Sequence, residues 1–410
     1  MSLLSVDEAR ERILSHFDPV GTETLSLAEC ARRVLAADVS AQNNLPSFDN
    51  SSMDGFAVIA ADLADAAPAS PRTLEVAADI PAGSSPSVTL ASGQAARIMT
   101  GAPMPAGADA VVPVEETDFD HRTPGTPAPK KVTIYSSAKA GDFVRLQGTD
   151  VQIGQPVLKS GHKLRPQDLG LLAMLGVAEV PVYGKPRVAL LSSGDELIPV
   201  DAPLRPGKIR DSNTYTLAAL IGEAGAEVIR LGIAADRRES VEALLANAAT
   251  QKVDLILSSA GVSVGAFDFI KEVVEAQGEL NFWRVNMRPG KPLAFGRFEN
   301  IPFIGLPGNP VSAFVGFEVF VRPTLERLSG LEVGTRPKVR VRLAEEISSD
   351  GRESYLRANV QGQDGNLSAW LAGHQGSGNL LSIVQANALL IIPAGVKSLA
   401  AGMEVDAWLL

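Results

Sequence analysis

The sequence predicts a multidomain fold in which a central, mostly parallel α/β sheet is combined with β-rich segments. Its length of 410 residues exceeds that of one ordinary domain. From Pro186 to about Leu328, apolar strand-like runs alternate with segments of helical periodicity, which is typical of a sheet covered by helices on both faces. Before and after that stretch, short apolar runs are separated by frequent glycine and proline, as in small β domains.

The composition is that of a globular protein with a large core, since 45% of the residues are hydrophobic and 20% are charged. The 37 basic and 47 acidic residues give a net charge of −10, which argues against nucleic acid as a partner. The single cysteine, Cys30, rules out an intramolecular disulfide framework and a cysteine-rich zinc site. Without a run of about 18 apolar residues or a secretory pattern, we expect a cytoplasmic protein with no membrane span.

The first half of the chain is predicted to be helical and then β-rich. Residues 1 to about 40 are expected to be helical, beginning with a capping box at Ser5-Val6-Asp7-Glu8. Between Asn43 and about Asp142 glycine and proline become frequent, and short strands are expected at 97–100 and 110–114. A helix over 161–176, with proline at its start and glycine after its end, closes this half.

The second half is predicted to contain the α/β sheet and a final β domain. Strands are expected at 187–192, 227–234, 253–258, 280–285, 293–298 and 302–306, and helices at 213–224, 240–249, 267–277 and 311–328. After Gly330 an alternation of apolar residues begins a run of short strands. In parallel sheets ligands bind outside the carboxyl ends of the strands, so the loops there are the candidate site.

Three of these loops carry acidic residues. Ser192–Leu197 combines hydroxyls, a glycine and two acids, which can cradle a phosphate or hold a metal; the alternative is an ordinary Ser/Asp turn. Asp236 follows the next strand, where a lone aspartate is usually a helix N-cap. Asp268 follows a loop of small residues in which Gly261 and Gly265 allow close approach of a ligand, although it could instead only stabilise a helix dipole.

A fourth loop carries cations. Arg284, Arg288 and Lys291 form a positive cluster in a turn held by Pro-Gly-Lys-Pro, and such a cluster suits phosphate or another oxyanion. Carboxylates from three loops and cations from a fourth suggest a hard divalent cation that bridges an anionic ligand. With few histidines and one cysteine, oxygen ligation of Mg²⁺ is the reasonable choice.

The fifth loop is the turn Leu306–Ser312, which contains Pro-Gly-Asn-Pro. Asn309 is predicted to be an N-cap and Pro310 the first helical residue. Such a turn leaves backbone N–H groups unpaired at a helix start, where an anion is readily held. The alternative is a plain strand-to-helix corner.

Seven motifs of this sequence occur in the order found in one known family. They are Asn50–Val58, Ile98–Pro105, Ala108–Val112, Ser193–Leu197, Gly261–Gly265, Arg288–Pro292 and Leu306–Ala313. Together they resemble the molybdopterin molybdenumtransferase family (MoeA-like), which includes the gephyrin E domain, over nearly the whole chain. The resemblance implies four domains: a helical, elongated dimerisation domain (1–42 and 143–180), a β-rich domain (43–142), an α/β domain of the molybdopterin-binding type (181–330) and a C-terminal, small β-barrel-like domain (331–410).

The resemblance also implies an activity and partners. In this family molybdate is inserted into adenylated molybdopterin with release of AMP, using Mg²⁺, and the protein is a homodimer whose cleft lies between subunits. Other proteins of molybdenum cofactor biosynthesis are candidate partners. Two alternatives remain open at this point: a molybdopterin adenylyltransferase, whose family resembles the α/β domain alone, and a cofactor-binding scaffold without turnover.

Roles for individual residues follow from the same resemblance. The implied catalytic residues are Asp54, Asp150, Glu196, Asp236, Asp268, Arg284 and Arg288, with Asp54 and Asp150 supplied by the second subunit. Mg²⁺ would be held by Glu196 and Asp268. The implied binding residues are Ser193, Gly194, Asp195, Gly261, Ser263, Gly265, Lys271, Lys291, Pro307, Gly308, Asn309 and Ser312. Arg357 and Ser377 are further candidates to face the cleft.

The chain departs from the family pattern in two places. Ala260 stands where the family usually has glycine, so its side chain matters if this position needs a positive φ. Arg284 and Arg288 stand where lysines are usual, and a guanidinium keeps the charge but changes reach and hydrogen-bond geometry.

Overall fold

The N-terminal part of the chain forms one short helix followed by a strand. The computed structural model describes residues 3–120, 125–260, 269–333, 336–363 and 365–410. Helix α1 (Val6–Leu14) begins with the predicted capping box, in which the Ser5 and Glu8 side chains each accept a hydrogen bond from the other's backbone N–H. The prediction of helix up to about residue 40 is wrong, because β1 (Thr22–Ser26) pairs antiparallel with residues 179–183. That partner lies far along the chain, so local propensity could not reveal the pairing.

A β-rich region follows. Its strands are β2 (Val39–Ser40), β3 (Asn50–Ser51), β4 (Gly55–Val58), β5 (Arg72–Ile80), β6 (Gln94–Ile98), β7 (Ala110–Pro113), β8 (Lys131–Ile134) and β9 (Val144–Arg145). Five strands form one sheet in the order β7-β4-β6-β5-β8. The two strands expected here are β6, which begins earlier than predicted, and β7. Asp54 lies in the turn between β3 and β4.

A second helix closes the first half of the chain, as predicted. Strand β10 (Pro156–Leu158) pairs with β2, helix α2 spans Pro166–Met174, and β11 (Glu179–Tyr183) pairs with β1. Helix α2 begins at a proline, where no backbone N–H is needed, and Gly176 has a positive φ just beyond its end.

The central sheet is mixed but mostly parallel. Its region contains β12 (Arg187–Ser193), β13 (Leu197–Ile198), β14 (Ile209–Arg210), α3 (Asn213–Glu223), β15 (Glu227–Ala234), α4 (Arg238–Thr250), β16 (Leu255–Ser259), α5 (Phe269–Gln277), β17 (Gly278–Arg284), β18 (Met287–Arg288), β19 (Pro292–Phe298) and β20 (Ile301–Leu306). The sheet order is β15-β12-β16-β20-β19-β17. Pairing is antiparallel only on the two sides of β19, as far as the described strands show.

Helices cover both faces of this sheet because its strands are apolar on both sides. In β12, Val188 and Leu190 pack into the cluster that contains α3, whereas Ala189 and Leu191 pack into the cluster that contains α4 and α5. The helix predicted over 311–328 consists of α6 (Pro310–Gly316), a π-helical turn (Phe317–Val321) and α7 (Arg322–Leu328).

The C-terminal region forms a closed barrel. It contains β21 (Lys338–Leu343), β22 (Ile347–Ser348), β23 (Glu353–Gln363), β24 (Asn366–Leu371), α8 (Leu381–Gln385), β25 (Ala388–Ile392), β26 (Ser398–Leu399) and β27 (Glu404–Leu409). The sheet order β23-β24-β21-β27-β25 returns to β23, and β18 adds to β23 at one end. This confirms the predicted fold class, while the division into four domains stays a prediction. In the described part of the chain, no helix is long and apolar enough to cross a membrane.

Candidate active site at the carboxyl ends of the strands

A cavity of about 590 Å³ lies at the carboxyl ends of β12, β16 and β20. That volume is within the range of small-molecule sites. Five residues that the sequence singled out line it: Ser193, Glu196, Pro307, Gly308 and Asn309. The strand-end rule therefore brings the first and the fifth predicted loops together.

Asp195 and Asp236 form a reciprocal pair at the ends of two neighbouring strands. The Asp195 N–H donates to Asp236 Oδ2 at 3.1 Å, and the Asp236 N–H donates to Asp195 Oδ1 at 3.0 Å. Ser193 Oγ also donates to Asp236 Oδ1 at 3.1 Å. The two backbones thus hold two carboxylates of like charge side by side, an arrangement that a bound cation would stabilise.

The Glu196 carboxylate folds back over Gly194. A side chain at Gly194 would place its Cβ 2.5 Å from Glu196 Oε2, and the φ of Gly194 is +149°. Glycine is therefore favoured here by its backbone conformation, whereas a Cβ would displace the flexible Glu196 carboxylate from its present position. The glycine that looked like a phosphate-loop residue in the sequence also makes room for the predicted metal ligand.

Four predicted residues, Gly261, Ser263, Gly265 and Asp268, lie outside the described residues. In the ranges that the structure describes, no group of three His, Cys, Asp or Glu side chains is arranged to hold a metal ion. Mg²⁺ commonly uses only one or two protein carboxylates and takes its other ligands from substrate phosphates and water. Glu196 and the Asp195–Asp236 pair are oxygen donors of that kind, so the residues present fit Mg²⁺.

Ala260 has the positive φ for which the family's glycine would be suited, with a value of +84°. The loop is held there because the Ala260 N–H donates to Leu306 O at 2.9 Å and Ser258 Oγ donates to Ala260 O at 2.8 Å. Its methyl group faces the backbone at Gly308, 3.4 Å from where a Cβ on that glycine would lie. The extra Cβ thus narrows the gap between two loops that line the cavity.

The Pro-Gly-Asn-Pro turn has the predicted geometry. Asn309 is the N-cap residue, with φ −65° and ψ 126°, and Pro310 opens the helix, although the Asn309 side chain makes no capping hydrogen bond. The backbone N–H groups of Gly308 and Asn309 have no acceptor among the described residues. Pro310 has no N–H group, and the N–H of Val311 donates to Ser377 O of the barrel at 3.0 Å. Two donors therefore remain for an anion in the cavity.

The cation loop is held by hydrogen bonds to two distant parts of the chain, the N-terminal segment and the C-terminal barrel. Asn286 N–H donates to Leu4 O at 2.7 Å, and β18 pairs with Glu353-Ser354 of the barrel. Within the loop the Val285 N–H donates to Lys291 O at 2.8 Å. Arg284, Arg288 and Lys291 do not line the cavity described above; of this loop only Pro292 does.

Arg357 is a buried cation close to Arg288. Only 1% of Arg357 is exposed. Its guanidinium donates to Ser382 Oγ at 3.0 Å and to the carbonyl oxygens of His374 and Gly376 at 3.3 and 3.1 Å. Burial, with a further contribution from the Arg288 charge, lowers the pKa of Arg357 to about 10.

In the described part of the chain, the positive charges of Arg288 and Arg357 are not balanced by an equal number of acidic side chains. Arg357 makes no ion pair there. Asp350 is close enough for Arg288 to contribute to lowering its pKa, but the larger cause is the hydrogen bond from Arg352, with which Asp350 is ion-paired. Excess positive charge at the junction of the cation loop and the barrel favours binding of an oxyanion.

The remaining predicted residues lie away from this cavity. Asp54 is held in the β-rich region, where its Oδ1 accepts hydrogen bonds from the Thr100 N–H and hydroxyl, each at 2.8 Å. Asp150 is exposed, and neither residue lines the cavity. Lys271 lies on α5, with its Nζ 4.0 Å from Glu275. Ser312 is buried in the first turn of α6.

The sequence did not single out the segment Asp211–Thr214, of which Asp211, Ser212 and Asn213 line the cavity. Asp211 accepts hydrogen bonds from the Thr214 N–H and hydroxyl, at 3.1 and 2.6 Å, and caps α3 in this way. Asn213 donates to Ser259 and to Gly308. The run of four polar residues at the start of this helix could have indicated a binding segment, but the same pattern is usual for a helix cap.

Three family models match the chain. The MoeA N-terminal region (domain I and II) matches residues 4–176, the probable molybdopterin binding domain matches 189–327, and the MoeA C-terminal region (domain IV) matches 340–410. Together they cover most of the sequence in the order of the regions described above.

Relatives resemble the chain over nearly its full length. A molybdopterin molybdenumtransferase from Nostoc sp. is 40% identical over 395 residues, which is 94% of this chain and 88% of that protein. One from Haemophilus influenzae is 38% identical over 410 residues, 98% of each. Among solved structures, the molybdopterin biosynthesis MoeA protein from Pyrococcus horikoshii has a TM-score of 0.83 at 29% identity and covers 100% of both chains.

Proposed function

Because the chain belongs to the MoeA family of molybdopterin molybdenumtransferases, we propose that it inserts molybdate into adenylated molybdopterin and releases AMP. The observation that carries this proposal is the group of cations at the cation loop and the barrel: Arg357 is buried, makes no ion pair with the described residues and lies close enough to Arg288 for that charge to lower its pKa. An anion held at Arg288 would also offset the charge of the buried Arg357 guanidinium, and molybdate is a compact dianion.

The chain's own residues would bind and orient the substrate. The free N–H groups of Gly308 and Asn309 suit its phosphates, and the Pro-Gly-Asn-Pro turn holds them in place without reorganisation. We propose that Arg284, Arg288 and Lys291 hold the oxyanion near the dithiolene, where positioning alone favours its insertion. An oxygen atom of water or molybdate attacks one phosphorus of the pyrophosphate, and the bond from that phosphorus to the bridging oxygen breaks, so that AMP and the pterin phosphate separate. When water attacks, its proton passes to solvent; when molybdate attacks, the anhydride it forms is hydrolysed by water.

Mg²⁺ is proposed to be held by Glu196 and Asp268, with the Asp195–Asp236 pair beside them. When bound, it would neutralise the charge of the pyrophosphate and polarise its P–O bonds. Ser193 keeps the Asp236 carboxylate in place through the hydrogen bond of 3.1 Å. Gly194 leaves the space that Glu196 needs.

We further propose a homodimer in which Asp54 and Asp150 of one subunit reach the cavity of the other. Neither residue lines the cavity of its own protomer, which supports this arrangement. A cytoplasmic location and interactions with other cofactor-biosynthesis proteins stay predictions from the sequence and the family.

The test is AMP release from adenylated molybdopterin with and without molybdate and Mg²⁺. The wild type should require both. Arg357→Met should raise the molybdate concentration for half-maximal AMP release by roughly 10- to 100-fold, because a charge-assisted contact contributes about 1.5–3 kcal/mol. Arg340→Met is the matched control: Arg340 lies on the same barrel but is exposed and ion-paired with Asp406 at 3.0 Å.

Other outcomes would identify other functions. Formation of adenylated molybdopterin from ATP and molybdopterin would indicate an adenylyltransferase. Binding of the adenylated substrate without AMP release would indicate a scaffold. An unchanged molybdate dependence in a folded Arg357→Met protein would contradict the role of the Arg288–Arg357 pair.

A further inference from the structure

Asn213 is a buried amide between two loops of the cavity. It is the first residue of α3, and only 8% of it is exposed. Its Nδ2 donates to Ser259 Oγ and to Gly308 O, both at 2.7 Å. A backbone carbonyl can only accept, so the contact with Gly308 O assigns the NH₂ group to that side and leaves Oδ1 on the other.

The remaining oxygen of Asn213 has no donor. In the part of the chain that the structure describes, no hydrogen bond reaches Asn213 Oδ1, although both Nδ2 hydrogens are used. Unlike Ser84 Oγ and Trp408 Nε1, which are buried and also lack partners, this oxygen is open to solvent, and the two hydrogen bonds of Nδ2 fix its direction. Asn213 lines the 590 Å³ cavity, so a ligand in that cavity can supply the missing donor.

The surroundings of Asn213 favour a planar ring. The cavity is also lined by apolar side chains without flexible ends, Ala260, Pro292 and Pro307, and by Leu197 and Ile209. Polar and charged side chains, among them Glu196, Arg210 and Asp211, line the same cavity, so apolar surface lies beside an acceptor whose direction is fixed. This combination suits a heteroaromatic ring that carries a donor on its edge. Both rings of the proposed substrate, adenine and pterin, carry an exocyclic amino group of this kind.

We propose that Asn213 Oδ1 accepts a hydrogen bond from the exocyclic amino group of a substrate ring and thereby selects amino- over oxo-substituted heterocycles. This inference rests on the proposed function. An oxo group at the same place would set two acceptors against each other. The rejection of the oxo form should amount to roughly 10- to 100-fold in affinity.

The experiment measures dissociation constants by calorimetry for two pairs of compounds. AMP is compared with inosine 5′-monophosphate, which tests the adenine ring, and pterin with lumazine, which tests the pterin ring. The wild type should prefer the amino form in one of the pairs, and that pair identifies the ring that contacts Asn213. In Asn213→Ala the ratio of the two dissociation constants in that pair should fall close to one.

Ser259→Ala is the matched control, because it removes a partner of Nδ2 and leaves Oδ1 in place. It should lower affinities for both members of a pair together and keep their ratio. The proposal is overturned if the wild type shows no preference in either pair, or if Asn213→Ala binds and keeps the full preference. If none of the four compounds binds the wild type, the proposed function itself fails.

Discussion

Ala260 has a left-handed backbone conformation, and its replacement by glycine is expected to stabilise the loop after β16. At a φ of +84° the Cβ of alanine costs about 1–2 kcal/mol, because it crowds the following carbonyl oxygen. Glycine removes this cost but adds about 0.5–1 kcal/mol of chain entropy to the open state. The difference predicts that Ala260→Gly stabilises the loop by about 0.5–1 kcal/mol.

Hydrogen exchange of one amide measures this locally. The Ala260 N–H donates to Leu306 O at 2.9 Å, so its exchange reports opening of the loop away from β20. In Ala260→Gly this exchange should slow by roughly two- to fivefold after correction for the intrinsic rate of glycine. A local measurement is preferable here because a multidomain chain does not unfold in one two-state step.

Ala235→Gly is the matched control in the neighbouring loop after β15. Ala235 is not among the residues with positive φ, so glycine there has only the entropic cost and should destabilise its loop by about 0.5–1 kcal/mol. Faster exchange at position 260 in Ala260→Gly, or the same sign of effect in both variants, would refute the argument from backbone strain.

Two further predictions concern acid stability and subunit cooperation. The hydrogen bond from Arg165, with a smaller one from His162, holds the pKa of buried Asp168 well below its usual range. This carboxylate therefore stabilises the fold above the unfolded pKa of about 3.9 and loses that contribution as the pH falls further. Asp168→Asn should lower the urea midpoint at pH 7 and lower it by a smaller amount at pH 3, because the contribution is lost gradually as the pH falls from about 3.9 toward the depressed folded-state pKa; an equal loss at both values would contradict the linkage. In the proposed dimer, Asp54→Asn and Asp236→Asn are each inactive alone, and mixed dimers should regain AMP release because one cleft is intact; failure of separately tagged, purified mixed dimers to do so would place both residues in one subunit's site.

The loops of the site were predictable because each follows a strand with a strong local signal. The predicted strands 187–192 and 302–306 are apolar and short, and the observed strands end at Ser193, one residue later than predicted, and at Leu306. The helix start at Asn309-Pro310 also follows from local rules, because proline has no N–H group and the first helical residue has no intrahelical acceptor for one. Strands that run in parallel end at the same edge, so their loops meet without further information.

Other features depended on partners from distant parts of the chain. Thr22–Ser26 is a strand because residues 179–183 pair with it, and the expected helix there does not form. The cation loop takes its shape from Leu4 at one end of the chain and from Glu353-Ser354 near the other. No local pattern encodes such contacts, because they join segments that are close only after folding.

The amino-acid sequence was sufficient for the fold class, the edge of the sheet that carries the site and the family, because periodicity, turn residues and ordered motifs are local. Tertiary structure alone decided that Ala260 is strained at a positive φ, that Arg357 is buried without an acidic partner among the described residues, and that Asn213 leaves one oxygen free toward the cavity. Each of these depends on what surrounds a side chain or a backbone bond in space. Burial and hydrogen-bond satisfaction are properties of packing, and packing exists only once distant segments have met.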